Sequence, residues 1–471
     1  MSVENPHTAS GSFDYDIAVI GGGPGGYIAA IRAAQLGAKV AVVEKENLGG
    51  TCLNVGCIPT KAVISSVALY KQIQNAKAYG LSVDKVDYDL SAIVGGAQKT
   101  VKQLVGGIGY LLKKHNIAHL RGLGSLVNPT TIKIVSIDSE STVTAKSIIL
   151  ATGSVPARPR IEGLDEFPTV WTSDNAVFAD FVPNRLVIVG GGAIGLEFGF
   201  IFNALGSKVT LCEMMPQILP FADSEASEAL GKSLRKQGID IRTNTVLAKA
   251  DKSGVVTLKS GDNEEQLEAD VILLAAGRVP STTGLNASEI GVAMDRAAIK
   301  VNKHMQTSVP TVYAIGDCIG EPLLAHAASA EGEAAAANIL GHSETVNYHA
   351  MPAAVYTHPE YASVGYTEAK AREKYTDIVV GSFQYAVNGR AMGERETEGF
   401  AKIIISEKYG EILGAHIVGN HASDLLAECA TAIASELTID ELINSVHAHP
   451  TLSEVVWEAA MDCRKRSANK P

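Results

Sequence analysis

Cysteine is scarce in this chain. Six thiols in 471 residues are too few for a disulfide framework, so any bridge among them has a chemical or sensing role. Long apolar runs are missing as well. None approaches the ~18 residues of a membrane span, which predicts no membrane segment. No lysine or arginine precedes Arg32, and the opening residues are polar without an apolar core. That predicts neither a secretory leader nor an Arg-rich transit peptide, hence a cytoplasmic location. Positive charge is in deficit, with 40 basic against 51 acidic residues and a net charge of −11. Nucleic acid is not an expected partner.

What remains is globular. Hydrophobic residues make up 46% and charged residues 19%, the balance of a chain with a large core. The length suggests about three domains of roughly 150 residues each. Forty-five glycines imply many tight turns.

Two stretches share one pattern. Asp16-Ile17-Ala18-Val19-Ile20 reads as a buried strand, followed by Gly21-Gly22-Gly23-Pro24-Gly25-Gly26, an Ala-rich helix from Tyr27 to Leu36, and a second strand over Lys39–Val43 ending in Glu44. This is a βαβ unit with a dinucleotide fingerprint in Gly21, Gly23, Gly26 and Glu44. The first glycine permits the tight turn, the second lets backbone approach a pyrophosphate, and the third lets helix and strand pack closely. The helix N-terminus favours the anion. The pattern recurs as the strand Arg185–Val189, then Gly190, Gly192 and Gly195, a helix through Glu197, and a strand closing at Glu213. In both units the acid stands at the same distance past the third glycine. One such fingerprint is weak, but two in matching context predict two dinucleotide sites. Glu213 suits a free ribose 2′-hydroxyl and repels a 2′-phosphate, so the second site is expected to take NAD.

Just behind the first glycine loop lies Gly49-Gly50-Thr51-Cys52-Leu53-Asn54-Val55-Gly56-Cys57-Ile58-Pro59-Thr60-Lys61. Cysteines five apart in a regular helix have Cα atoms about 8.7 Å apart, and a disulfide requires about 4.4–6.8 Å. A bond between Cys52 and Cys57 therefore needs a helix break, for which Gly56 supplies freedom. Pro59 suits the first turn of a helix running on through Lys61, and Cys57 and Lys61 can share one face. The pair is either a redox disulfide or two ordinary buried thiols. A redox pair exchanging electrons with NAD needs a mediator between thiol and hydride chemistry. A flavin does this, so FAD is expected at the first site. Cys212, Cys318, Cys429 and Cys463 read as structural thiols.

Three more segments are apolar strands running into turns: Ser147–Ser154 with Thr152 and Gly153, Val271–Arg278 with Gly277, and Thr311–Asp317. Each is a buried strand and turn, or a turn that also admits a cofactor to the backbone. Near the C-terminus stands His447-Ala448-His449-Pro450-Thr451-Leu452-Ser453-Glu454. Pro450 is expected to start a helix on which Glu454 reaches back to a histidine, orienting it as a base for thiol chemistry. A surface helix with solvated histidines is the plainer reading, and a metal pair lacks a third ligand nearby.

With these motifs together, the chain resembles the flavin-dependent pyridine nucleotide-disulfide oxidoreductases, and within them the dihydrolipoyl dehydrogenase family, from Asp14 to about Met461. Thr60 stands where many members have serine. The resemblance implies an α/β fold of two Rossmann-like dinucleotide-binding domains plus a C-terminal α+β dimerisation domain. The FAD-binding domain would be discontinuous, over 14–155 and 311–345. NAD binding would take 156–280, a central segment 281–310 and dimerisation 351–471. It implies that Cys52 meets substrate and Cys57 faces the flavin, with His449 as acid/base, Glu454 as its orienting partner and His447 in a lesser role. FAD contacts would include Thr51, Lys61, Gly124, Thr152, Gly153, Asp317 and Ala325, where a helix N-terminus would face the ring. Glu197, Val246 and Gly277 would lie at the NAD site, Glu197 paired with Lys61. The expected substrate is a dihydrolipoyl group on an acyltransferase or carrier protein of a 2-oxo acid dehydrogenase or glycine cleavage complex. The expected assembly is a homodimer whose active sites are shared between subunits. Glutathione-reductase-like enzymes share the thiol pair but prefer NADPH, and mercuric-reductase-like ones need a C-terminal cysteine pair where this chain has Cys463 alone. A redox sensor or scaffold flavoprotein has no need of all four residues Cys52, Cys57, His449 and Glu454.

Overall fold

The computed structural model describes residues 13–320 and 322–470. The polar tail on which the expectation of no leader rests lies outside the described residues. The chain gathers into two compact units. Of the described residues, the first comprises those up to Asn54, with Val101–Val155 and Arg278–Val346, and the second Val55–Thr100, Pro156–Gly277 and those from Asn347.

In the first unit, parallel strands run in the order Ala118–Arg121, Val40–Glu44, Tyr15–Ile20, Glu140–Leu150, with Val312–Ala314 also parallel against the end of Glu140–Leu150. The start of that long strand instead turns antiparallel into Thr131–Val135 and Leu123–Asn128. Ile17, Ala18, Val19, Ala41 and Val42 are fully buried, the continuous apolar run of strands covered on both faces. The covering helices Pro24–Gln35 and Ala325–Ile339 pack on small residues. A β-carbon at Gly332 would stand 2.5 Å from the Gly25 carbonyl oxygen, so only glycine permits this approach. Glu331, buried on the same helix, accepts the Gly316 N–H at 2.6 Å.

The second unit holds a five-stranded parallel sheet, ordered Asp240–Arg242, Lys208–Cys212, Arg185–Val189, Val271–Leu274, Val170–Thr172. It also holds an antiparallel meander over Val246–Ala250, Val255–Ser260 and Asn263–Glu268. Its C-terminal part is an antiparallel sheet ordered Ala353–Val355, Glu360–Gly365, Ile412–Gly419, Phe400–Ser406, Ile378–Gln384. The helices Ala422–Ala434, Ile439–Asn444 and Glu454–Cys463 follow from it. The central strands Phe400–Ser406 and Ile412–Gly419 are buried at every position.

One of those buried positions is Lys402. Its Nζ lies 3.0 Å from Asp223, 3.0 Å from Glu225 and 2.7 Å from Glu368, and Asp223 also accepts the Glu368 N–H. A buried cation is tolerable only when paired this fully. Beside it His416 is buried, and burial holds its ring below the ordinary histidine range. The cluster fastens the start of the helix Ser224–Lys236 to the C-terminal sheet.

Among the described residues one helical stretch, Gly50–Gln74, is long and apolar enough to cross a membrane by length and composition, where the sequence predicts none. It is interrupted at Gly56, and Lys61 upon it is ion-paired to Glu197, as in a helix packed within protein.

Replacing Lys402 by methionine strands a buried Asp223 carboxylate and should cost about 3–5 kcal/mol, read as a lower denaturant midpoint. Adding Asp223→Asn should recover part of the loss. Asp223 and Glu368 are held below the ordinary carboxylate range despite burial, by the Glu368 N–H on Asp223 and by Lys402 on Glu368. Their contribution is therefore present above the unfolded carboxylate pKa and lost as pH falls through the folded one, so the wild type should lose more stability in acid than the methionine variant.

Candidate active site

The first glycine turn leaves the strand Tyr15–Ile20 at Gly21, whose φ is 108°. A β-carbon there would sit 2.1 Å from the Ala151 carbonyl oxygen, and one at Gly26 would sit 1.9 Å from the Gly21 carbonyl oxygen. Neither position admits a side chain. Gly23 differs, since its nearest neighbour would be Gly50 Cα at 3.8 Å, leaving room in front of the helix N-terminus Pro24–Gln35. Glu44 is buried, and its carboxylate accepts the N–H groups of Gly22 and Glu46 at 2.7 Å each. It thus fixes the turn as well as standing at the end of the second strand.

The second turn repeats this. Gly190 has φ 112°, and β-carbons at Gly190 and Gly195 would lie 2.3 Å from the Ala275 oxygen and 2.0 Å from the Gly190 oxygen. A β-carbon at Gly192 would meet nothing within 4 Å. Glu213, also buried, accepts from Gly191 and Met215 at 2.7 and 2.8 Å. Two occluded glycines, one open glycine, a free helix start and an anchored acid fit a dinucleotide at each turn. Val246 opens a strand and is exposed, and Gly277 at φ 100° has open space at its Cα.

The thiol segment is built onto the first turn. Gly49 N–H donates to the Gly22 carbonyl at 2.8 Å, and a β-carbon at Gly50 would stand 2.7 Å from Gly23 Cα. Thr51 and Cys52 sit on the short helix Gly50–Asn54. Gly56, at φ −124° and ψ −115°, breaks the helical path, and Cys57 begins the helix Cys57–Gln74 with Pro59 in its first turn. Cys52 and Cys57 are joined as a disulfide. One turn on, Lys61 Nζ donates to both Glu197 oxygens at 2.9 and 2.8 Å. Glu197 is buried and also accepts the Tyr356 N–H, while Lys61 Nζ lies 4.5 Å from the Tyr356 ring centroid. Burial raises the Tyr356 hydroxyl above its ordinary range.

The tail differs from expectation in one respect. The helix starts at Glu454, with Ser453 at the N-cap position but without a side-chain cap, rather than at Pro450. The Thr451 N–H is taken by the Glu454 carboxylate at 2.8 Å and the Thr451 hydroxyl by the Ala448 carbonyl, so residues 448–453 form a turn instead of helix. His449 Nδ1 lies 2.9 Å from the other Glu454 oxygen. The His449 side chain is 79% exposed and Glu454 19%, so the imidazole is oriented from below and open on its outer side. His447 pairs with Glu428 at 2.9 Å.

Asp317 lies on the turn after Val312–Ala314 and accepts the Ser154 hydroxyl at 2.5 Å. Arg278 donates to Ser154 Oγ at 2.7 Å and to its carbonyl at 2.8 Å. Sequence reading missed Arg278 and Ser154 as members of this site, for nothing local joins positions so far apart. Thr152 and Gly153 stand just before Ser154, and Gly153 adopts φ 69° with open space. Gly124 lies on the strand Leu123–Asn128, where a β-carbon would crowd Ile20 and Val43 at 3.1 Å. Ala325 is the first residue of its helix. The four other cysteines are free and buried, and burial pushes the Cys318 thiol up to about 11 and Cys212 and Cys463 to about 12. Among the described residues no group of three side chains could hold a metal ion.

Residues 15–332 match the pyridine nucleotide-disulphide oxidoreductase family, and residues 351–460 match its dimerisation domain. A dihydrolipoyl dehydrogenase of Geobacillus stearothermophilus is 41% identical, with 94% of each chain covered. A mitochondrial dihydrolipoyl dehydrogenase of Pisum sativum is 42% identical over 98% of this chain and 94% of that one. A leghemoglobin reductase of Glycine max is 42% identical over 96% and 88%. Among solved structures, LpdA of Mycobacterium tuberculosis superposes with TM-score 0.87 at 27% identity, covering 94% of this chain and 98% of that one. The HOCl-induced flavoprotein disulfide reductase RclA of Escherichia coli, solved as a Cu(II) complex, gives TM-score 0.85 at 27% identity over 95% and 98%.

The two classes of glycine should separate on substitution. Gly192→Ala should leave the melting temperature unchanged while weakening pyridine nucleotide binding, because its methyl enters only the open space. Gly195→Ala should lower both, because its methyl meets backbone. Thermal unfolding and nucleotide titration check the pair.

Proposed function

The chain belongs to the pyridine nucleotide-disulphide oxidoreductase family, and on that premise we propose that it oxidises protein-bound dihydrolipoyl groups with NAD. The observation that carries this reading is the Cys52–Cys57 disulfide fastened to the first glycine turn, in a chain that also holds the His449–Glu454 pair. FAD and NAD are the family's cofactors. Gly21, Gly23, Gly26, Glu44 and Asp317 would hold FAD, with Thr51, Gly124, Thr152, Gly153 and Ala325 around it. Gly190, Gly192, Gly195, Glu213, Val246 and Gly277 would hold NAD. When bound, the flavin supplies the link between two-electron thiol chemistry and hydride transfer to the nicotinamide.

The residues of the chain account for the thiol half. His449, its Nδ1 held by Glu454, uses Nε2 to take a proton from the substrate dithiol. The resulting thiolate attacks Cys52 Sγ, the Cys52–Cys57 bond breaks, and its electron pair leaves on Cys57. The second substrate sulfur then attacks the first, closing the cyclic disulfide and expelling Cys52, which takes up the second thiol's proton while His449 keeps the first. The substrate loses two electrons and the protein disulfide gains them. Lys61, held by Glu197 and one turn from Cys57, places a cation where negative charge collects. The openness of His449 fits an imidazole that serves a site on the partner subunit of a homodimer.

We assign the FAD-binding part to residues 14–155 and 311–345, NAD binding to 156–280, the central segment to 281–310 and dimerisation to 351–471. The lipoyl group would arrive on an acyltransferase or carrier protein of a 2-oxo acid dehydrogenase or glycine cleavage complex, in the cytoplasm.

Cys52→Ser should abolish NAD reduction by dihydrolipoamide while the protein keeps its flavin absorbance. Full activity in that variant would overturn the mechanism. His449→Gln should lower kcat by about 10²–10⁴-fold, the usual scale of general acid–base catalysis. Glu213 should make NADH far more efficient than NADPH in the reverse assay, and comparable kcat/KM values would remove NAD specificity from the reading.

A further inference from the structure

Two residues before His449 stands a second histidine–carboxylate pair that the thiol chemistry does not use. We propose that His447 and Glu428 are positioning residues for His449, and that they hold the segment 445–450 through one proton shared between His447 Nε2 and Glu428 Oε2. The proposal rests on the dihydrolipoyl reading above.

The geometry demands that proton. His447 Nδ1 lies 2.9 Å from the Ser445 carbonyl oxygen, and Nε2 lies 2.9 Å from Glu428 Oε2. A carbonyl oxygen only accepts, so Nδ1 carries hydrogen. An ionised carboxylate also only accepts, so the second contact needs a proton as well. Either the ring is an imidazolium facing a carboxylate, or it is neutral and the carboxyl is protonated. Both states contain the same number of protons, so the contact needs one shared proton in either case. The His447 side chain is only 9% exposed, which strengthens the bond by excluding water. The other Glu428 oxygen is buried and has no hydrogen-bond partner among the described residues, so His447 compensates this carboxylate.

The pair is placed to control His449. Within the tail, Thr451 bonds Ala448 and Glu454, and Glu454 bonds His449. Those contacts shape the turn but stay inside it. Among the described residues, the Ser445 hydroxyl bonds the Glu441 carbonyl just upstream and Leu452 is buried in the core, and two further side-chain hydrogen bonds reach more distant elements of the unit. Asn388 donates to the Thr451 carbonyl at 3.1 Å on the C-terminal side. His447 reaches the helix Ala422–Ala434 through Glu428 on the N-terminal side. Trp457, whose indole N–H donates to Ile443 at 2.9 Å, lies with its ring 6.2 Å from that of His447. A base that must reach a sulfur to within hydrogen-bond distance tolerates little drift.

The charged and titratable groups that act on His447 are Glu428 from the helix Ala422–Ala434 and Glu454 from the helix Glu454–Cys463. The hydrogen bond to Glu428 holds His447 above the ordinary histidine range, against the opposing effect of burial. A raised folded value means that the clamp is complete below the ordinary histidine range and is lost as pH rises through the raised value. Beyond it, the Nε2 lone pair faces a carboxylate and the segment is released.

The test uses the flavin-loaded dimer, with dihydrolipoamide–NAD turnover and NADH–ferricyanide reduction measured in parallel across pH. The second assay bypasses both the disulfide and His449. His447→Ala should lower dihydrolipoamide kcat by about 10²-fold, the scale of a displaced reacting group, with ferricyanide reduction unchanged. Glu428→Gln should retain more turnover than His447→Ala, because the amide can donate to a neutral His447. It should also move the alkaline loss of kcat to higher pH, because no shared proton remains to be lost. Wild-type turnover in His447→Ala, an equal fall in both assays, or an unmoved alkaline limb in Glu428→Gln would each overturn the positioning role. A wild type that fails with dihydrolipoamide but reduces ferricyanide would overturn the proposed function instead.

Discussion

The structure depends on backbone meeting backbone where no side chain can stand. At Gly26 and Gly195 a β-carbon would lie 1.9 and 2.0 Å from the carbonyl oxygens of Gly21 and Gly190. Those approaches bring each helix start against the strand it follows, and so leave free N–H groups facing an open glycine. The thiol segment inherits this constraint, because Gly50 reaches Gly23 by the same kind of contact. The position of the redox pair relative to the first turn is therefore a consequence of residues that carry no chemistry.

The acids that close the two units serve the same constraint from the other side. Glu44 and Glu213 each accept two backbone N–H bonds, one from the glycine turn and one from the loop beyond the strand. A carboxylate buried this way holds the turn's shape. The residue type that suits a ribose diol is thus also the one that stabilises the cradle around it.

Much of this was legible because it is local. Strand, glycine turn, helix and acid follow within one stretch of chain, and apolar runs such as Ala18–Ile20 and Leu186–Val189 announce covered parallel strands. The CxxxxC spacing with Gly56 implied a helix break, and Gly56 interrupts the helix there. What sequence could not give are partners joined only by folding. Arg278 meets Ser154, Lys402 meets Asp223 and Glu368, and Glu428 meets His447. Charge pairs across such separations leave no periodic trace. The tail shows the same limit on a smaller scale. Pro450 suggested a helix start, but Glu454 satisfies the Thr451 N–H with a side chain, and the turn wins over helix.

The four buried thiols set the terms on which the disulfide can work. Thiol exchange runs through thiolates, and burial keeps Cys212, Cys318, Cys429 and Cys463 protonated by raising each above its ordinary range. A chain whose working bond opens and closes repeatedly is thereby insulated from its own sulfur. Scrambling is suppressed by acidity and access, without the chain having to dispense with cysteine as a core residue.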